Sequence, residues 1–296
     1  MSSQRRWSGP PLGRLTVIGA GQIGGSVALA ARAAGAVTDV VAWSRTREKL
    51  DRAVALGVID RAAGSAAEAA SGAALVVLAS PVRSLGQLAS EIAPSLSPGA
   101  LVIDVGSVKA AVIAAVEPKL PPGSFVACHP VAGTERVGPD AASPLLFEGK
   151  KCVLCPSSSS HEPAVATIER LWIAMGADPV RMDAQLHDRV LGASSHLPHV
   201  AAYTLASTLG ALPPDVIEAM RQLPTTSLRD TTRVAASSPA MWRDIFLDNR
   251  EQVLPLIEAL AAQVEALRSA VVAGDGRRVE ELLEAGRVGR ERLVPG

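Results

Sequence analysis

The run "LTVIGAGQIGGSVALAARAAG", residues 15–35, constrains this chain more than any other stretch. A short apolar, β-rich segment runs straight into glycines at 19, 21 and 24, and a helical pattern opens behind them. The spacing is G-x-G-x-x-G. The first glycine permits a tight turn, the second lets backbone amides approach a pyrophosphate, and the third lets the helix pack closely on the sheet. A helix N-terminus adds partial positive charge at the same place. In this strand–turn–helix setting the motif predicts a dinucleotide site built on Gly19, Gly21, Gln22, Ile23 and Gly24.

Further strand-like runs follow at helix-length intervals: "DVVAWS", "ALVVLAS" (74–80), "ALVIDVGS" (100–107), "GSFVACHP", "KKCVLCP" and "ADPVRMD". Continuous apolar strands alternating with helices such as "TREKLDRAVALG" and "AVATIERLWIAMG" imply a mostly parallel sheet covered on both faces. After Asp183 the strand signal stops and helical spacing takes over. The expected fold is therefore α/β. A leader over 1–14, polar and basic, reads as disordered. A Rossmann-type dinucleotide-binding domain covers 15–183, and an all-α domain covers 184–296. Leu254, Leu256, Ile257, Leu260, Val264 and Leu267 form a stripe three or four residues apart. So apolar a stripe predicts a homodimer joined through the helical domain.

Charge narrows the partners. Lys+Arg number 29 and Asp+Glu 29, so net charge draws the chain to neither nucleic acid nor an anionic membrane. No apolar run reaches the ~20 residues that span a bilayer. With three cysteines there is no disulfide framework, and a cytoplasmic location is expected. Cys152 and Cys155 have C-x-x-C spacing inside a strand-like run, without the partners that a redox or zinc site needs.

The end of the second strand selects the dinucleotide. An NAD-preferring site carries Asp or Glu there to bind the ribose 2′-hydroxyl. Here stands Ser44, followed by Arg45 and Arg47. With no carboxylate to repel a 2′-phosphate and guanidinium groups to bind it, NADP is favoured, or both cofactors are accepted.

Dinucleotide chemistry takes place at the C-terminal ends of the strands. Three segments end there: "ASPV", with Ser80 and Pro81, "DVGSVK", with Ser107, and "CHPVAGTE", with His129. Pro130 pushes His129 toward extended geometry, so the histidine sits at a strand end rather than on a helix. An imidazole there suits proton exchange with a hydroxyl whose carbon gives up hydride. Ser107 is placed to cap the helix "VKAAVIAAV" or to present its hydroxyl to a ligand. His196 and His199 are three apart, but Pro198 intervenes and no third ligand is evident, so no metal is expected.

"GAGQIGGSVALAAR", "DVGSVK", "CHPVAGTE", "SSHLPHVAA" and "LRDTTRVAASSPAMWRDIF", in this order, resemble the prephenate/arogenate dehydrogenase family of tyrosine biosynthesis. The likeness runs from about Leu15 into the final helices. It implies oxidative decarboxylation of a cyclohexadienyl ring with hydride transfer to the nicotinamide. In the roles it implies, His129 polarises the ring hydroxyl, and Ser107 orients that hydroxyl and the histidine. His196 faces the substrate, Arg233 grips a substrate carboxylate, and Glu135 and Asp230 pair near that arginine. Trp242 matches a tryptophan that the family's dimer offers across the subunit interface. The chain departs from the family with "TTSL" at 225–228 and with Val137. No appended regulatory domain and no mutase-like segment ahead of the glycines are expected.

Two other readings use the same features. A 3-hydroxyacid dehydrogenase-like reductase shares the two-domain plan but relies on a lysine where "SSHLPH" offers histidine. A non-catalytic NAD(P)-binding sensor needs the glycine loop without the Ser/His/His/Arg set.

Overall fold

A computed structural model describes residues 6–134 and 136–293. Its sheet has eight strands: β1 Leu15–Ile18, β2 Val40–Trp43, β3 Arg61–Ala62, β4 Leu75–Leu78, β5 Leu101–Asp104, β6 Phe125–Pro130, β7 Lys151–Cys155 and β8 Asp178–Arg181. Their order is β3-β2-β1-β4-β5-β6-β7-β8. Six helices accompany them: α1 Gln22–Ala33, α2 Arg47–Ala55, α3 Ala66–Ala70, α4 Leu85–Ile92, α5 Ala110–Val116 and α6 Glu162–Ala174. β1 lies centrally, with Leu15 opposite both Val40 and Leu75 in parallel register. Every pairing is parallel except β6 with β7. Between those two strands no described residue of 131–150 lies in an α-helix. A parallel return needs a crossover of helix length; without one the chain doubles back and enters the sheet antiparallel.

Alternation along the strands splits the core in two. Leu15, Val17, Val40 and Val77 pack with Trp172 on one face, and Ile18, Val41, Val76 and Leu78 with Ile92 on the other. Cys152 belongs to the first face and Cys155 to the second. Three residues apart on a strand, they point to opposite sides, so the C-x-x-C spacing joins nothing. Burial pushes the Cys155 thiol up to about 12. These cysteines behave as small apolar residues.

Two local features were not expected. β3 is only two residues long, too short for any periodic signal. The leader expected over 1–14 is laid down from Trp7 onward, residues 1–5 lying outside the described residues. Trp7 N–H donates to Ala34 O at 3.1 Å and Leu12 N–H to Ala36 O at 2.8 Å. Both side chains pack on the core, and Arg170 stacks over the Trp7 ring at 5.3 Å. A polar composition concealed the apolar anchors.

From Asp183 on, every regular element among the described residues is helical: α7 Ala184–Leu191, α8 Leu197–Gly210, α9 Pro214–Gln222, α10 Thr226–Thr232, α11 Pro239–Asp248, α12 Arg250–Val272 and α13 Gly276–Leu293. Asp183 starts the series by accepting from the N–H groups of Gln185 and Leu186. By packing, however, the chain divides later, into units Met1–Asn249 and Arg250–Gly296. Helices α7 to α11 therefore belong to the same compact unit as the sheet, with α7 lying against α5 and β7. In the second unit Leu254 and Val264 of α12 are 56% and 61% exposed. None of the described helices is long and apolar enough to cross a membrane.

Candidate active site

The glycine loop joins β1 to α1 at the C-terminal edge of the sheet. Gly19 has φ +111°, and a Cβ there would stand 2.4 Å from Ala79 O at the end of β4. On Gly24 a Cβ would meet Gly19 O at 2.2 Å. Both positions require glycine for the fold itself. At Gly21 a Cβ would meet no atom within 4 Å, and no side chain caps α1 there. Open space in front of uncapped helix amides fits a pyrophosphate. The residues present therefore fit a nicotinamide dinucleotide. Ser80 Oγ donates to Ile18 O at 3.1 Å, binding the loop after β4, where Pro81 also stands, to the end of β1. Gln22 exchanges two hydrogen bonds with Thr134, so the glycine loop and the loop after β6 hold each other.

At the end of β2 no carboxylate is present. Ser44 Oγ accepts only a long 3.5 Å contact from Thr46 N–H. Arg47 pairs with Asp51 one turn along α2. Arg45 is exposed and makes no ion pair or hydrogen bond with a described residue.

His129 ends β6 with its ring buried. Its Nδ1 lies 2.8 Å from His187 Nε2 on α7. His187 Nδ1 in turn donates to Asp188 Oδ1 at 2.7 Å. Asp188 is doubly committed, because its two oxygens also accept the N–H groups of Lys109 and Ala110. The cap foreseen for Ser107 is thus supplied by Asp188 from a distant helix, and Ser107 is left half-buried with no hydrogen bond to a described residue. Burial alone would raise the Asp188 pKa, but the bonds from His187 and the two amides outweigh it and hold the carboxyl below its usual range. Burial drives His129 well below the ordinary imidazole value. A neutral ring near pH 7 is an acceptor of protons, not a donor of charge.

A single π-helical turn, Gly192–His196, joins α7 to α8. Eight residues separate Asp188 from His196, which in an α-helix leaves them roughly 80° apart. The extra residue that a π turn accommodates takes back a rotation of similar size, so His196 returns to the buried face. There Asn249 Nδ2 donates to both Asp188 O at 2.8 Å and His196 Nδ1 at 3.0 Å. Burial pushes His196 down to about 4, against the pull of Asp188.

Trp242 of α11 lies edge-on to His196 and stacks on His199, with ring centroids 3.5 Å apart. It is buried within its own chain, and its indole N–H finds no acceptor among the described residues. Arg233 is exposed, has no ion-pair partner among the described residues, and lowers the pKa of His199 by its charge, second to burial. Asp230 pairs with its neighbour Arg229 at 3.7 Å and not with Arg233. Glu135 lies outside the described residues. His129, His187, Asp188, Asn249, His196, Trp242 and His199 thus form one continuous set of contacts, with Arg233 at its outer end.

Two family models match the chain: "Prephenate dehydrogenase, nucleotide-binding domain" over residues 27–180, and "Prephenate dehydrogenase, dimerization domain" over 183–285. The chain belongs to the prephenate dehydrogenase family. Among its relatives is a cyclohexadienyl dehydrogenase of Zymomonas mobilis, 37% identical over 88% of this chain and 89% of that one. A prephenate dehydrogenase of Bacillus subtilis is 32% identical over 90% of this chain and 72% of that one. The prephenate dehydrogenase of A. aeolicus, solved in complex with hydroxyphenyl propionate and NAD+, superimposes with a TM-score of 0.84 at 33% identity. That match covers 95% of this chain and 98% of the other.

Sequence reasoning did not reach four residues bonded into this cluster: His187, Asp188, Asn249 and Lys109. One signal was available for the first two. His187 and Asp188 lie four and three residues before Leu191, and all three are buried on one face of α7. Two polar residues on a buried helical stripe call for partners.

Proposed function

We propose that this chain carries out the oxidative decarboxylation of prephenate, with arogenate as a second substrate, as the family's names imply. The observation that carries the reading is the buried imidazole of His129 at the C-terminal end of β6, neutral and tethered through Nδ1, on the sheet edge that holds the glycine loop. With Nδ1 engaged, Nε2 is the nitrogen left to meet a substrate. When bound, the nicotinamide dinucleotide supplies the hydride acceptor. His129 Nε2 takes the hydrogen bond from the ring hydroxyl and draws that oxygen toward a carbonyl as its carbon loses hydride. The ring carboxylate leaves as CO2, its bonding electron pair stays in the ring, and the proton that the hydroxyl shared with His129 Nε2 returns to the oxygen to give the phenol. Ser107 orients the hydroxyl. Arg233 binds the side-chain carboxylate as a planar two-pronged donor, with His196, Trp242, Asp230 and Glu135 completing the substrate side. Measuring reduction of each dinucleotide at 340 nm with prephenate and with arogenate tests the reading. Turnover of either supports it, and inertness toward both removes it.

Ser44 and the unpartnered Arg45 support NADP use, alone or alongside NAD, because nothing at the end of β2 repels a 2′-phosphate. Comparison of kcat/KM for the two cofactors decides it, and a strong NAD preference defeats it. The open apolar face of α12 supports a homodimer formed through the helical part of the chain, the expected result of light scattering at micromolar concentration. The domain limits we adopt are 15–183 for the dinucleotide and 184–296 for substrate and dimer contacts.

A further inference from the structure

His129 has one ring nitrogen facing protein, and what that nitrogen touches decides what the other can do. The contact is another histidine, an ambiguous partner, since an imidazole ring donates or accepts according to its tautomer. The ambiguity is resolved one residue further on. Asp188 Oδ1 is a carboxylate oxygen and can only accept, so the 2.7 Å contact places the proton on His187 Nδ1. Carrying that one proton and no second, His187 presents a bare Nε2. At 2.8 Å that lone pair requires a proton on His129 Nδ1. His129 is left with an unprotonated Nε2. Asp188 is itself immobilised, because the amides of Lys109 and Ala110 hold its two oxygens at the start of α5.

We propose that the His187–Asp188 pair is a positioning device that fixes the tautomer of His129, leaving its Nε2 lone pair as the group that meets the substrate. The inference rests on the reaction proposed above only for its kinetic consequence; the tautomer itself belongs to the free protein. Without the pair, the free ring has no reason to keep its proton on Nδ1, and a proton on Nε2 would turn the acceptor into a donor. The surroundings favour the neutral form. Lys109, ahead of α5, is neutralised by Asp104 of β5, His196 lies beyond His187, and the carboxylate of Asp188 is separated from His129 by a full imidazole ring.

The test combines two readouts on the full-length protein. Two-bond proton–nitrogen spectra of histidine-labelled protein without substrate, assigned with His129→Asn, give each ring's tautomer directly. The expected wild-type result is a proton on Nδ1 of both His129 and His187, with His129 Nε2 bare. His187→Gln keeps an acceptor oxygen and retains the His129 tautomer, with kcat within about tenfold of wild type. His187→Leu removes the acceptor. It loses the single tautomer and about 100-fold in kcat with KM changed less than threefold, in keeping with the 10²–10⁴ that a positioned acid–base group contributes. A role confined to packing would lower the melting temperature of both variants and leave the tautomer untouched. Finding wild-type His129 protonated at Nε2, or His187→Leu with wild-type kcat and tautomer, overturns the proposal. If His187→Leu does not fold, the wild-type spectrum and His187→Gln decide alone, and a changed tautomer in His187→Gln counts against it. An inert wild type with the expected tautomer strikes the assigned reaction and leaves this inference standing.

Discussion

The ammonium of Lys109 and the carboxylate of Asp104 form an ion pair to which solvent has no access at either side chain. Lys109 Nζ also donates to Cys128 O at 2.7 Å, while Asp104 accepts the N–H groups of Cys128 and Gly106. Five residues apart in sequence, the two charges clamp the end of β5 to the end of β6 immediately before His129. A buried charge is tolerated only when its partner and remaining hydrogen bonds are in place, so the pair ties the position of the imidazole to the integrity of the sheet edge.

Removing one charge of this pair is therefore costly. Lys109→Met leaves Asp104 buried and uncompensated, and is expected to lose about 3–5 kcal/mol of stability. Combining it with Asp104→Asn removes the second charge and recovers part of that loss. Urea denaturation of the single and double variants measures both. A single variant within about 0.5 kcal/mol of wild type, the range of an ordinary surface change, shows the pair to be dispensable.

His129→Asn retains a polar side chain at the strand end but has no ring nitrogen to accept the hydroxyl's proton. The expected outcome is a fall in kcat of about 10²–10⁴. Dinucleotide affinity, read by fluorescence titration, stays within a few-fold of wild type because the glycine loop is built on β1 and α1 and His129 stands on β6. Near-normal kcat shows that another group polarises the substrate.

What the sequence disclosed, and what it withheld, follows from the range of the interactions. The glycine loop is a local device: turn, close approach and helix start all fall within six residues, so its chemistry is legible as spacing. His129 was legible because Pro130 fixes its backbone. His187 and Asp188 sit in "AQLHDRVL", which reads as an ordinary amphipathic helix. Their meaning depends on β6 and α5, brought to them from 58 residues and 79 residues away. Ser107 shows the same limit in reverse. Local pattern allowed it to cap a helix or to present its hydroxyl to a ligand, and the amides of Lys109 and Ala110 are reached by a carboxylate from α7 instead. The leader failed for another reason, since one tryptophan outweighs several polar neighbours once it finds the core.

Arg233 allows structure and function to be separated. Its side chain is exposed and has no ion-pair partner among the described residues, so Arg233→Ala is expected to leave stability within about 0.5 kcal/mol. If it binds the substrate carboxylate, the loss of charge-assisted bonds worth about 1.5–3 kcal/mol lowers kcat/KM by roughly 10–150-fold. Arg233→Lys should recover only part of this, because an ammonium lacks the planar fork. An unchanged kcat/KM in the alanine variant excludes the contact.

Acid should weaken the fold in two stages. An unfolded histidine takes up a proton near pH 6.5, whereas folded His196 resists until about 4. His129 is displaced in the same direction. Between those limits the unfolded state binds more protons, so stability is full above about pH 6.5 and declines as pH falls, by about 1.4 kcal/mol per unit for each such ring. Asp188, held below its usual value, contributes stability that is lost only at lower pH, beneath the ordinary carboxylate range. Denaturation curves at pH 7, 6 and 5 should show this slope, and His196→Asn should flatten it by one proton. A flat profile for the wild type means that both rings titrate as if in water.

Two glycines of one loop should fail in different ways when replaced by alanine. At position 24 the new methyl would stand 2.2 Å from Gly19 O, a backbone atom that cannot rotate aside. Overpacking of this kind costs about 1–3 kcal/mol or more, and Gly24→Ala should unfold early with or without cofactor. At position 21 the methyl meets no protein atom within 4 Å, and the backbone at φ −88° suits alanine. Gly21→Ala should therefore melt like wild type when free, yet resist the thermal shift that dinucleotide normally produces, because the methyl occupies the space where phosphate approaches the helix amides. Equal melting temperatures for the free proteins, with equal shifts on adding dinucleotide, would mean that the phosphates lie elsewhere and that the spacing of these glycines serves only the turn.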